Sequence, residues 1–239
     1  MLLKIHTKRM LRFVKGKLPK PIPLHNIRYE FGFGFGNLYH PFLEVLKERS
    51  ASHAIELLKH FYLQMSVYLQ QLPVGERLSV QAWKSDDAYV AKGMKKYIAS
   101  KQFEPRINSD EWRGAAERKV RHLHALRDSI RTHGYDTEMS GLGIRGPQLN
   151  NECVLILGGQ NRAAVLASLN RQHIPVANSS HRENIPRRIG VDQVDALPLV
   201  RRGIISPVTA KNVLQRICDG FSADKARELG FPFARDCRV

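Results

Sequence analysis

Cys153-Val154-Leu155-Ile156-Leu157-Gly158-Gly159-Gln160-Asn161-Arg162-Ala163-Ala164 reads as a strand, a glycine turn and the start of a helix. Its first five residues are apolar and β-rich, as in a buried strand, and a helix is expected from about Asn161 to Asn170. Where a strand passes through glycines into a helix, the first helical amides and the helix dipole together make an anion-binding site. Glycine lets a phosphate approach the backbone. Gly158, Gly159, Gln160, Asn161 and Arg162 are therefore the candidate phosphate-binding residues. A cation in a helix's first turn opposes the dipole, so Arg162 is better explained if it points at a bound anion or a buried carboxylate. The structural alternative is an arginine that braces the loop.

The flanks of this stretch are equally ordered. Ala115 to His133 carries Val120, Leu123, Leu126 and Ile130 as one apolar stripe, with Gly134 placed to end the helix. Ile144 sits in an extended segment, Asn150-Asn151 supplies a turn, and Ile174-Pro175-Val176 suits an edge strand, where proline is tolerated. Ser206-Pro207 opens a further helix with Val213, Leu214 and Ile217 on its apolar face, and Ser222 starts a short last one that breaks near Gly230 and Pro232.

Towards the N-terminus, helical spacing predicts two packing helices, Pro41 to about Arg49 and Ser52 to about Gln71. Leu72-Pro73-Val74-Gly75 is a break, and Pro105 with Asn108-Ser109 punctuates a mixed stretch beyond it. Phe31-Gly32-Phe33-Gly34-Phe35-Gly36 lacks the strand and spacing of a phosphate loop and reads as an extended loop whose phenylalanines plug into a core. Before it, Met1 to Arg28 carries Lys4, Lys8, Arg9, Arg12, Lys15, Lys17, Lys20 and Arg28 with no acidic residue. That segment reads as a loose basic tail, or as an amphipathic helix contacting an anionic membrane surface or nucleic acid.

At 239 residues, 43% hydrophobic and 25% charged, the chain has enough apolar surface for a sizeable core and is not a disordered polymer. Its net charge of +16 attracts polyanions without choosing among them. Cys153, Cys218 and Cys237 show no metal-ligand spacing, and an odd count excludes a complete disulfide framework, which implies a reducing compartment. No apolar run approaches the roughly 18 residues of a membrane span, and the N-terminus lacks a signal-peptide core, so a cytoplasmic location is expected.

Leu126-Arg127-Asp128-Ser129-Ile130-Arg131-Thr132-His133-Gly134-Tyr135 resembles the signature of the ParB/sulfiredoxin superfamily, in which a helix carrying Leu-x-x-Ser-Ile ends at a glycine. Further along, Gly159-Gln160-Asn161-Arg162-Ala163-Ala164 resembles its Gly-x-x-Arg loop and helix, and Ile174-Pro175-Val176 its closing strand. A narrower resemblance, to ParB-like proteins of bacterial surface-polysaccharide gene clusters, spans roughly Leu38 to Asp219. It rests on Tyr39-His40-Pro41-Phe42, Ile144-Arg145-Gly146, Gly158-Gly159-Gln160, Val191-Asp192-Gln193-Val194-Asp195, Pro198, Val200, Arg201 and Gly203-Ile204-Ile205-Ser206. The implied fold class is α/β (α+β), a small mixed sheet with packed helices and a helical N-terminal extension. The expected division is a basic tail over 1–28, a mostly helical extension over 29–110, the ParB/sulfiredoxin-like domain over 111–220 and a short C-terminal helix and tail over 221–239.

The superfamily's chemistry varies: ParB proteins bind CTP and DNA, sulfiredoxins use ATP to repair an oxidised cysteine, and some relatives phosphorylate free serine. The resemblance implies ATP or CTP with Mg²⁺ at Gly158, Gly159, Gln160, Asn161 and Arg162. It also implies an accessory or small-molecule phosphotransferase role in surface-polysaccharide synthesis. Sulfiredoxin chemistry fails residue by residue, because Gln160 and Asn161 stand where that enzyme has its cysteine. Many relatives carry histidine before the loop arginine, whereas Asn161 cannot shuttle a proton near neutral pH. Glu117, Asp128, Asp192 and Asp195 are the candidate carboxylates for Mg²⁺ or a base. Arg182, Arg187, Arg188, Arg201 and Arg202 are either a basic rim around the anion site or solvated loop charges. The alternatives are a DNA-binding or regulatory protein driven by its net charge, and a non-catalytic scaffold. A ParB-like helix-turn-helix domain is not expected, since the helices near 207–218 and 223–229 form too short a pair.

Overall fold

The computed structural model describes residues 19–73, 76, 110–135, 143–150, 153–177 and 188–234. The basic stretch before residue 19, the Pro105 and Asn108-Ser109 breaks, Asn151, Arg182, Arg187 and Cys237 lie outside the described residues. In chain order the strands are β1 (Lys20–Pro23), β2 (Ile27–Arg28), β3 (Gln148–Leu149), β4 (Cys153–Leu155), β5 (His173–Val176) and β6 (Arg188–Ile189). The helices are α1 (Pro41–Lys47), α2 (Ala51–Gln71), α3 (Asp110–His133), α4 (Gln160–Ser168), α5 (Pro198–Arg201), α6 (Pro207–Asp219) and α7 (Ala223–Glu228).

A four-stranded sheet runs in the order β2-β4-β3-β6, mixed in direction: β2 is parallel to β4, β4 antiparallel to β3, and β3 parallel to β6. The β3–β4 hairpin turns at Asn150, whose φ of 47° suits asparagine. β1 and β5 form a separate antiparallel ribbon that pairs Ile22 with Ile174 and Pro21 with Pro175. Neither proline has an N–H, so Pro21 and Pro175 must form a non-hydrogen-bonded pair, and their neighbours carry the ladder.

Alternation along β4 buries both sheet faces. Cys153 and Leu155 pack with Leu149, Ile189, Val194, Val213, Leu214 and Ile217 under α6. Val154 packs with the larger core on the opposite side, where Ala163 to Ala167 of α4 and Val120 and Leu123 of α3 lie. The Phe31-to-Gly36 loop plugs its aromatics into that larger core. Phe33 and Phe35 are buried, with the Phe33 ring edge-on to Phe61 at 5.7 Å and to Phe221 at 5.1 Å.

The structure draws no boundary at residues 28 or 220. Lys20 to Arg28, expected in the tail, supply β1 and β2, because the apolar positions Ile22 and Ile27 find partners that the surrounding positive charge conceals in sequence. The helices expected as an N-terminal extension pack directly on the rest: α1 lies against α4 and α2 against α3. Beyond residue 220, Phe221 and Phe231 belong to the same core. The Tyr39 hydroxyl donates to the Pro232 carbonyl at 2.8 Å, and buried Glu44 accepts from the Ala234 amide at 3.0 Å. An amphipathic stripe reports that a helix needs a partner without naming it, so such boundaries are invisible in sequence.

Helix ends follow local chemistry. Ser206 Oγ accepts from the Thr209 amide at 3.0 Å with Pro207 in the first turn of α6, and Gly134 closes α3 at φ 78°. Ser206→Ala is expected to lower stability by about 1 kcal/mol, read as a shift in the urea unfolding midpoint.

Candidate anion-binding site

The turn between β4 and α4 is held by main-chain bonds to one residue. Arg145 N donates to Gly158 O at 3.1 Å, while Leu157 N and Gly158 N both donate to Arg145 O, at 2.9 and 3.2 Å. Ile144 to Gly146 are wedged between this turn and the end of β5: Ala177 N donates to Ile144 O at 2.8 Å and Gly146 N to Ala177 O at 3.2 Å. Gly159, the N-cap of α4, adopts φ 79° and ψ 21°, and a Cβ there would lie 2.7 Å from the Ile144 Cα. Both the left-handed backbone and the close approach require glycine.

The first α4 bond runs from Ala163 N to Gly159 O at 3.0 Å, so the amides of Gln160, Asn161 and Arg162 precede the intrahelical ladder. No side chain of the N-cap residue caps them, and the first turn contains no acidic residue. The five residues expected at the site, Gly158, Gly159, Gln160, Asn161 and Arg162, thus form one half-buried corner at the positive end of the helix.

Two further cations stand at this corner. The Arg145 side chain crosses the Gly158 α-carbon, where a Cβ would lie 2.9 Å from Nε and 3.2 Å from Cγ. From α3, Lys119 Nζ reaches Asn161 Oδ1 in a long 3.5 Å hydrogen bond and sits 5.1 Å from the centre of the Phe42 ring. Desolvation lowers the Lys119 pKa from its ordinary value. A bound anion would offset that desolvation. Arg145 enters the sequence reading only through its tripeptide, and Lys119 not at all: a lysine beside an apolar stripe carries no signal of what its tip will meet.

The candidate carboxylates do not gather here as a set. Asp128 is exposed, 3.8 Å from its neighbour Arg127. Asp192 and Asp195 are exposed on the 3₁₀ turn Val191–Ala196, whose Val194 packs on the sheet face opposite α4. Glu117 is half-buried on α3, two residues before Lys119. Among the described residues no group of three or more His, Cys, Asp or Glu side chains is placed to hold a metal ion. Arg188, Arg201 and Arg202 are exposed.

Beside the turn, at the shared C-terminal edge of parallel β2 and β4, Ile156 N donates to Arg28 O at 2.9 Å. The chain leaving β2 there builds an aromatic cage around His40. The imidazole stacks on Phe35 at 4.6 Å and 12°, meets Tyr29 edge-on at 4.6 Å and 83°, and touches Phe42. It is 1% exposed, and neither ring nitrogen has a hydrogen-bond partner. Burial pushes its pKa down to about 3, with only its own main chain pulling the other way. A neutral imidazole wedged among rings fills space and cannot act as a proton shuttle for the turn.

A cavity of about 140 Å³ lined by Glu48, His53, Glu56, Leu57, His60, Pro232 and Phe233 shares no residue with the turn. Among the described residues no helix is long and apolar enough to cross a membrane. Compared with family models, curated proteins and solved structures, the chain matches none.

Proposed function

We propose that the chain binds a nucleotide or another phosphate ligand at Gly158 to Arg162, on a ParB/sulfiredoxin-like fold. The observation that carries this reading is the α4 N-terminus, whose glycine N-cap has no side chain to offer the first amides, with Arg162 in its first turn, Lys119 and Arg145 beside it and no acidic residue in that turn. Backbone N–H groups, a helix dipole and neighbouring cations favour a phosphate over a neutral ligand. ATP or CTP are the nucleotides that the family resemblance supports, and Mg²⁺ would be held chiefly by their phosphates and water. The role we propose is a cytoplasmic accessory or small-molecule phosphotransferase in bacterial surface-polysaccharide synthesis. Binding is better supported than transfer, because Asn161 cannot act as a base.

Calorimetric titration with ATP and with CTP, each with Mg²⁺ at near-physiological salt, tests the site. Saturable binding is expected, and Arg162→Ala should weaken it by about tenfold or more, the scale of a lost charge-assisted hydrogen bond, while the circular dichroism spectrum stays unchanged. Equal affinity in the folded variant would remove the site. The net charge of +16 favours a second reading, a DNA-binding or regulatory protein in which the turn is structural. Salt separates the two: binding through many nucleic-acid phosphates weakens steeply as salt rises, whereas a corner gripping one triphosphate is far less sensitive.

A further inference from the structure

Cys153 in β4 and Cys218 in the last turn of α6 are 65 residues apart in sequence, yet their sulfurs lie 3.7 Å apart. Both are thiols, and no sequence motif links them. A disulfide holds its sulfurs at about 2.05 Å, so forming one requires them to close by roughly 1.6 Å. The two positions differ in a chemically useful way. Cys153 is 3% exposed among Leu149, Leu155 and Val213, whereas Cys218 is partly exposed. Cys218 Sγ accepts from the Asn150 side-chain amide at 3.5 Å, while the one Cys153 thiol proton is shared between the Leu149 carbonyl oxygen, at 3.9 Å, and Cys218 Sγ. Its exposure makes Cys218 the sulfur that a peroxide reaches first, and the Asn150 amide is placed to donate to its thiolate once formed.

We propose that Cys153 and Cys218 form a redox-active dithiol, with Cys218 attacking and Cys153 resolving, oxidised to a disulfide by a hydroperoxide. The Cys218 thiolate attacks one peroxide oxygen and the O–O bond breaks. A sulfenic acid forms on Cys218, and the departing alkoxide or hydroxide takes up a proton. The Cys153 sulfur then attacks the Cys218 sulfur, and the S–O bond breaks as the S–S bond forms. Water leaves with the Cys153 proton. In all, two thiols lose two electrons and two protons, and the peroxide is reduced to an alcohol, or to water, plus one further water. The bond ties the end of α6 to β4, and the site is independent of whether the glycine turn binds a nucleotide.

Each of the three cysteines falls on its own tryptic peptide, so the reduced full-length chain can be treated with one equivalent of hydrogen peroxide, alkylated and mapped without reductant. The expected product is an intramolecular Cys153–Cys218 cross-link that dithiothreitol reverses, with Cys237 alkylated. The same cross-link is expected in Cys237→Ser. Cys153→Ser should leave a Cys218 sulfenic acid that dimedone captures in higher yield than from the unaltered chain, while Cys218→Ser should leave Cys153 alkylated. Separate alkylation of Cys153 and Cys218 in the peroxide-treated chain, or a predominant cross-link through Cys237, overturns the proposal. Dimedone capture at Cys153 in folded Cys218→Ser would overturn the assigned order of attack.

Discussion

Gly146→Ala is expected to destabilise the protein by about 3 kcal/mol or more, among the larger effects a single methyl group can have. An alanine Cβ would overlap the Leu155 carbonyl oxygen and stand 2.7 Å from its carbon, both main-chain atoms of β4 that no rotamer change can move. Relief requires lifting Ile144 to Gly146 away from the strand. That in turn disturbs the bonds Arg145 makes to Leu157 and Gly158 and those joining Ile144 and Gly146 to Ala177. The urea unfolding midpoint measures the loss. Gly143→Ala is the matched control, because a Cβ there meets nothing within 4 Å among the described residues and its effect should stay within about 0.5 kcal/mol. Equal midpoints for Gly146→Ala and Gly143→Ala would mean that residues 144–146 do not lie against β4.

Acid should weaken the fold through His40 by about 3 kcal/mol between pH 7 and pH 4. The folded-state pKa, about 3, lies below the ordinary 6.5, so the unfolded chain takes up the proton first. The stabilisation is complete above about pH 6.5 and is lost progressively as pH falls towards 3. Its cause is the cage: Tyr29, Phe35 and Phe42 give an imidazolium neither water nor an acceptor. His40→Leu, close in volume, should hold its stability at pH 7 and lose much less of it by pH 4 in parallel urea titrations. Identical pH profiles for the two proteins would place the acid-sensitive group elsewhere. Carboxylates add the same acid response to both proteins, so the difference between the profiles isolates His40.

The glycine turn was legible from its letters because its physics is local. A β-rich run, two glycines and a helix-forming segment dictate a strand, a left-handed N-cap and a set of helical amides within twelve residues. The Ser206 and Ser222 caps, the Asn150 turn and the Gly134 stop were readable for the same reason, each depending on dihedral preference or on a bond spanning three residues. The buried role of Phe33 and Phe35 followed from their size in a loop without a basic sheet face.

What was not legible depends on meetings between distant segments. Lys119 reaches Asn161 across 42 residues, and Cys153 meets Cys218 across 65, distances over which spacing rules have no force. His40, quoted in sequence for its resemblance alone, takes its suppressed basicity from rings that packing brings around it. The basic segment before Tyr29 hid β1 and β2, because net charge describes side chains on average whereas pairing depends on which backbone lies alongside.

By itself, then, the sequence determined the α/β character, the elements around the glycine turn and the residues that form it, all consequences of local backbone preference and hydrophobic period. The tertiary structure alone decided that residues 20–28 belong to the fold, that α1 and α2 share the core with α3 and α4, and which cations and thiols stand together. Those outcomes arise from burying many amphipathic faces against one another at once, a global minimisation of exposed apolar surface to which short-range sequence rules are blind.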